Sequence, residues 1–295
     1  MKERIVRQLH EHIRERNDQV IELNATKLNV RGRVDERMAK LHRKRGAMIV
    51  RSYVEGDLVR MMRVGNREYA DYLQRTEQLI QLKNSFYMEE KVEYRRAIFE
   101  NGQVVEDREV NQPQDHVEIK EAIHLEEVDA VRHGDGLGYN RREAVRYAER
   151  WWNDHNPAYQ KFTDNCTNFI SQCLRAGGVP MTGYPNRGKG WWYQGGNWSL
   201  SWSVAHSFRW YLNGSPVGLH TEERQGASEL EAGDIICYDF DGDGRWQHST
   251  IVVAKDANNE PLVNAQTSNS RMRFWTYEDS TAWTPNIKYK FFHLK

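Results

Sequence analysis

The sequence predicts an α+β protein in two parts. A smaller N-terminal domain of helices and antiparallel β-structure precedes a domain in which a cysteine-bearing helix packs on an antiparallel sheet. Three observations carry this reading. All ten tryptophans and all three cysteines of the 295-residue chain lie beyond residue 135, so composition changes there. Before that point, apolar spacing passes from helical to alternating on either side of Asn101-Gly102. After it, one short apolar-periodic segment that begins at a cysteine is followed by a series of β-branched runs. The glycine-rich stretch RHGDGLGYN (132–140) reads as the boundary loop, giving domains 1–134 and 135–295.

In the first domain, Ile5, Leu9, His12, Ile13, Val20 and Leu23 recur at three- and four-residue steps, the spacing of a helix face. Residues 35–49 and 66–83 carry a similar pattern. In the latter, Tyr69, Tyr72, Leu73, Leu79 and Leu82 would share one helical face. KVEYRRAIFE and QVVEDREV then flank Asn101-Gly102, a pair suited to a type I′ turn because both residues tolerate positive φ. HVEIKEAIHLEEV (116–128) alternates and reads as a further strand. Segment 27–67 holds 12 Lys+Arg against 4 Asp+Glu. With Tyr53 its only interleaved aromatic, a solvated helix face is preferred over a nucleic-acid arm.

In the second domain, Asn140 is placed to cap a helix over RREAVRYAERWWNDHN, with Glu143 three residues on, and Pro157 follows its end. The segment DNCTNFISQCLRAGG (164–178) is the next helix, closed by Gly177-Gly178. Residues 180–220, rich in Gly, Ser and Trp, read as loop. DIICYDF, HSTIVVAKD, PLVNAQTSN, SRMRFWTY and NIKYKFFHLK read as strands.

Composition excludes several classes. Lys+Arg and Asp+Glu are 42 each, so no overall charge selects nucleic acid as a partner. No apolar run approaches a membrane span. The first twenty residues lack the apolar core of a secretory signal, which leads to the expectation of a cytoplasmic protein, or of a wall- or spore-associated one had a signal been removed. Three cysteines form at most one disulfide, so free thiols are the simpler account. No cofactor is called for. There is no HExxH, no CxxC and no tight His/Asp cluster, so no metal site is expected. Asp239, Asp241 and Asp243 match the first half of a calcium loop. Position twelve is Thr250, however, and a polar hairpin turn is the preferred reading.

Two residues carry the chemistry. Cys166 lies in the first turn of its helix among Asp164, Asn165, Thr167 and Asn168, where the helix dipole and unpaired N–H groups favour a thiolate. Phe169, Ile170, Cys173 and Leu174 form the buried stripe of the same helix, so Cys173 reads as a packing residue. His248 opens a β-branched strand and is the natural proton carrier for the thiol. Trp191, Trp192 and Trp198, in the glycine-rich stretch, belong either to the core or to a cleft that stacks on sugar rings or peptide planes.

The motifs NCTNFISQCLRAGG and LEAGDIICYDFDGDGRWQHSTIVV, with the tryptophan-rich segment between them, resemble the amidase domain family of Gram-positive bacteria, over about residues 138–295. That family looks like a branch of the papain-like amidohydrolases, with the CHAP and NlpC-type cell-wall hydrolases as relatives. The resemblance implies a papain-like fold and a cysteine amidase or peptidase acting through a thioester. It implies peptide or muropeptide substrates from peptidoglycan. It also implies a third polar residue one strand after the histidine, for which Asn264 is preferred and Gln266 is second. Both fall on one strand face by the two-residue period. The family often has histidine at the Gln266 position, a departure here. The Cys166 backbone N–H would hold the oxyanion, joined by an upstream side chain, Gln160 or Asn165, either of which is equally readable as a cap or surface residue. The alternative is a module on the same fold that binds wall or protein ligands without turnover.

Overall fold

The structure, a computed structural model, describes residues 2–25, 34–110, 138–214 and 219–295. In chain order it runs α1 (Lys2–Ala25), α2 (Val34–Arg45), β1 (Ala47–Val64), β2 (Arg67–Leu82), β3 (Ser85–Glu100) and β4 (Gln103–Glu109). There follow α3 (Arg141–Trp151), α4 (Cys166–Ala176), β5 (Tyr193–Gln194), β6 (Asn197–Trp198), α5 (Leu200–Ser203) and α6 (Ala205–Gly214). Six strands complete the chain: β7 (Thr221–Arg224), β8 (Ile235–Asp239), β9 (His248–Lys255), β10 (Pro261–Ala265), β11 (Asn269–Phe274) and β12 (Lys288–Leu294). The class is α+β with antiparallel sheet, as expected. Two compact units divide the chain. The first is Met1–Gln112 with Asp256–Asn258 and Ser268–Trp283; the second is Pro113–Lys255 with Asn259–Thr267 and Thr284–Lys295. Among the described residues no helix is long and apolar enough to cross a membrane.

In the first unit, β1, β2 and β3 form an antiparallel meander. The far edge of β3 is shared, with β4 pairing along Arg95–Glu100 and β11 along Glu90–Val92. Ile5, Leu9 and Ile13 of α1 bury themselves against Ala70, Tyr72, Ala97 and Phe99. The Asn101-Gly102 turn has φ of 50° and 80°, both positive as type I′ requires.

Two helical expectations fail here. Residues 66–83 form strand β2, not a helix. Its inner face is Ala70, Tyr72, Gln74, Thr76, Gln78, Ile80 and Leu82, and the polar residues in the middle break the apolar alternation that marks a strand. Helix α2 covers only the first part of 35–49; it ends at Arg45, and Gly46, at φ 73°, turns the chain into β1. The basic residues of 34–67 therefore lie on α2, β1 and the start of β2 rather than on one helix face. Residues 27–33, the expected strand 116–128 and most of the 132–140 loop lie outside the described residues.

The second unit holds a sheet in the order β10-β9-β8-β12-β7, antiparallel throughout. All of its strands fall in the β-type runs read from sequence except the short β7. Asn140 caps α3, its Oδ1 accepting from the Glu143 N–H at 3.2 Å. The 180–220 segment is not all loop, since it contains α5 and α6. Ala205, Phe208 and Leu212 of α6 are buried at helical spacing, a signal masked by the Gly and Ser around it.

Fully buried Asp234 ties three elements of this unit together. It accepts from Arg141 Nη1 at 2.6 Å, His293 Nδ1 at 2.9 Å and the Leu294 and Glu231 backbone N–H groups at 3.0 and 2.8 Å. Removing this buried carboxylate takes the shared acceptor from four donors and leaves Arg141 with backbone carbonyls and the Glu231 carboxylate at 3.9 Å. Asp234→Ala is expected to lower stability by about 3–5 kcal/mol, read as a reduced urea midpoint.

Candidate active site

Helix α4 is buried on all sides from Cys166 to Leu174. A helix in that position must have its polar side chains paired as well as its apolar ones packed. Gln172 Oε1 accepts from Tyr147 of α3 at 2.7 Å. On another side, Trp202 Nε1 donates to Asn168 Oδ1 at 2.8 Å, and Trp191 Nε1 donates to Ser171 Oγ at 2.9 Å. The polar letters of DNCTNFISQ are thus the sockets into which the tryptophan-rich segment plugs. Cys173 is fully buried with Phe169, Ile170 and Leu174, the packing role expected of it.

Cys166 is the first residue of α4, where backbone N–H groups lack intrahelical partners. Asn165, at the N-cap, makes no side-chain capping bond. The Thr267 hydroxyl, from beyond the end of β10, supplies the acceptor instead. It takes the Asn165 N–H at 2.9 Å and the Cys166 N–H at 3.2 Å. Thr267 holds φ of 92°, a rare conformation for a β-branched residue and one that only a firm surrounding structure maintains. Sequence reasoning missed Thr267; its place directly after Gln266 was the only signal.

The amide of buried Asn165 is engaged at both its oxygen and its nitrogen. Its Oδ1 accepts from the Phe162 N–H at 3.0 Å and Asn168 Nδ2 at 2.9 Å, while its Nδ2 donates to Gln266 Oε1. Gln266 in turn donates to the Trp151 and Asp154 carbonyls. Gln266 and Asn165 therefore meet, one residue from the cysteine, as parts of a scaffold. Asn264 directs its Nδ2 to Glu149 Oε1 at 2.8 Å and to the Ala148 carbonyl at 3.4 Å, both on α3. Gln160 is exposed, and its Nε2 donates to the neighbouring Lys161 carbonyl.

The sulfur of Cys166 lies against the start of β9. The Thr167 hydroxyl is 3.7 Å away, and the Ser249 backbone, next to His248, is near enough to favour the thiolate. Burial pushes the Cys166 thiol above its usual value, and Thr167 and Ser249 only partly offset it. The direction is opposite to that expected from helix position alone. Burial pushes Cys237 up to about 12 and Cys173 well above the ordinary range. His248 is buried, with its ring centroid 5.5 Å from Tyr238 and 6.1 Å from Phe240.

Of the expected cleft tryptophans, Trp191 and Trp192 are core residues, 0% and 2% exposed, with no face left for a ligand. Their indole N–H groups are engaged, that of Trp192 with the Asn186 carbonyl at 3.1 Å. Trp198 is half-buried, 4.8 Å from Phe162 and stacked on Tyr193 at 6.1 Å. In the DFDGDG loop, Asp239 takes the Gly242 and Gly244 N–H groups at 2.8 Å each, which is turn chemistry. Among the described residues no three His, Cys, Asp or Glu converge as a metal site.

With this geometry in hand, comparison with known proteins is informative. Residues 138–292 match the family described as "Putative amidase domain". The chain is 53% identical over 214 residues to the Bacillus subtilis (strain 168) protein described as "Uncharacterized protein YhbB", covering 72% of this chain and 69% of that one. It is 30% identical over 141 residues to "Uncharacterized protein YjcM" of the same strain, covering 45% of this chain and 32% of that one. No solved structure matches the chain.

Two outcomes follow from the geometry. Thr267→Val keeps the shape but removes the acceptor from two N–H groups, and is expected to cost about 1–3 kcal/mol in urea unfolding, whereas Thr267→Ser stays close to the parent. Because burial raises the Cys166 thiol, its thiolate fraction is small near neutrality and grows as pH rises to and beyond the ordinary value. Iodoacetamide labelling of a Cys173→Ser, Cys237→Ser background should accelerate continuously above pH 8 and show no plateau near pH 7.

Proposed function

The chain belongs to the family described as a putative amidase domain, and on that premise we propose that it is a cysteine-dependent amide hydrolase on a papain-like fold. Its substrates are peptides or muropeptides derived from peptidoglycan. The observation that carries this reading is the sulfur of Cys166, set at the first turn of a helix against Ser249, one residue from His248.

In this reading the resting thiol is neutral. His248 accepts its proton as the sulfur attacks the amide carbonyl carbon, forming a C–S bond and an oxyanion. The Thr267 hydroxyl accepts two N–H bonds, which leaves its own O–H free to donate to that oxyanion. Collapse breaks the C–N bond, and His248 passes the proton to the leaving amine. A water, deprotonated by His248, then attacks the thioester to release the acid and restore the thiol. Asn165 and Gln266 act through the backbone they hold, and Asn264 fixes α3 against the strand beside His248. Trp198 is the one tryptophan of the three with surface to offer a substrate.

A second reading is favoured by one observation, the burial that keeps the sulfur protonated. It describes a module that binds wall peptides without turnover.

Mass-spectrometric assay of muropeptide digests separates the two. Under the hydrolase reading, Cys166→Ala and His248→Ala each lower kcat/KM by about 10³-fold or more. Thr267→Val lowers kcat by about 10²-fold with KM little changed, and Thr267→Ser retains most activity. Muropeptide binding without any product, unchanged in Cys166→Ala, would establish the binding module instead.

A further inference from the structure

Beneath α1, the inner face of the first unit carries an unusual run of polar cross-strand pairs, Gln74–Glu93, Thr76–Lys91 and Gln78–Glu89. Apolar side chains would be the ordinary occupants of such a face. A partly open cavity of about 60 Å³ lies over these pairs, lined also by Ile13, Val20, Met38 and Val54.

The charges around it are almost all matched. Lys91 meets Glu93 at 2.8 Å, Arg16 meets Asp107 at 3.4 Å, Arg273 meets Asp279 at 2.8 Å, and Arg271 pairs with Glu90. Among the described residues that line the cavity, two buried side-chain atoms have no hydrogen-bond partner, Gln74 Oε1 and Glu89 Oε2. Their residues are only 6% and 9% exposed, and both line the cavity. The Gln74 amide nitrogen donates to Thr76 Oγ1 at 3.1 Å, and the amide oxygen is the atom left over. Two orphan acceptors, one of them a carboxylate oxygen, call for a ligand that brings donors, and a buried polar atom without a partner is costly enough to need a reason.

We propose that this cavity binds a small alkylammonium cation, its N–H groups meeting Gln74 and Glu89 and its carbon chain lying against Ile13, Val20 and Val54. A positive charge is favoured over a neutral donor because Glu89 makes no salt bridge among the described residues, and Arg273, Arg45 and Lys91 offset its burial only in part. Burial and the nearby Asp279 charge both raise its carboxyl from the usual value, and an ammonium beside it reverses that penalty. A hard metal ion is disfavoured because two oxygens, one of them an amide, fall short of its coordination needs. Gln74 and Glu89 sit four strand positions apart, about 13 Å along the ladder, so a two-headed amine reaches both from a single site.

The test uses the full chain and three probes with the same four-carbon chain at matched ionic strength: 1,4-diaminobutane, 1-aminobutane and butane-1,4-diol, titrated by calorimetry. The expected result is saturable binding of the diamine, weaker binding of the monoamine and none of the diol. Glu89→Gln and Gln74→Leu should each weaken the diamine by about tenfold or more, the scale of losing a charge-assisted hydrogen bond. Equal responses to diamine and diol, no response to any probe, or diamine binding unchanged in both variants would overturn the proposal and leave ordered water as the occupant. Should either variant fail to fold, the amine-against-diol contrast in the parent chain decides alone.

Discussion

The second unit depends on how one buried helix start is satisfied. The first turn of α4 presents N–H groups that water cannot reach, and its own N-cap residue does not serve them. Thr267 does, by accepting two of them from the end of a strand about a hundred residues later in the chain. The same turn of chain delivers Gln266 to Asn165, so two side chains from one strand end fix both the backbone and the side chain at the entrance to the helix. Cys166 is held in place by this staple. The strained backbone at Thr267 is tolerated because several bonds over-determine it.

Two physical effects compete at the sulfur. A helix N-terminus stabilises an anion by about 0.3–1 kcal/mol at an exposed position. Full burial of an ionisable group shifts it by as much as several pKa units, at about 1.4 kcal/mol for each. Burial is the larger effect, and the direction found for Cys166 agrees with that ordering. A thiol in this setting reacts only if it is deprotonated as it does so, which makes a nearby proton acceptor matter more than any standing ion pair. The aromatic cluster of Tyr238, Phe240 and His248 explains why the imidazole is so well enclosed.

The first unit shows a different use of burial. Its ends have ordinary apolar cores, Ile5, Leu9 and Ile13 at one and Val20, Ala47, Ile49, Ile80 and Leu82 at the other. Between them lies the polar stretch that carries the cavity. Apolar clusters on both sides keep the sheet and helix together, so the middle is free to hold side chains that add little to stability. The same stretch made β2 hard to read, because Gln74, Thr76 and Gln78 occupy inward positions where alternation leads one to expect apolar residues.

By itself the sequence determined what local chemistry determines. Asn101-Gly102 allows a type I′ turn, Asn140 caps the helix after it, and the β-branched runs after Gly233 form strands, because each depends on conformational preferences of a few adjacent residues. The α+β class and the helical stripe containing Cys173 were legible on the same basis, and the family through the resemblance of the motifs around Cys166 and His248. Tertiary structure alone decided the rest. Trp191 and Trp192 became core rather than cleft because α4 offers Ser171 and packing surface. Asn165 became a scaffold group because Gln266 and Asn168 meet its amide. The thiol moved up rather than down because neighbours distant in sequence exclude water from it. In each case the deciding group lies outside the residue's local window, and local spacing carries no record of which groups the fold brings together or how dry it leaves them.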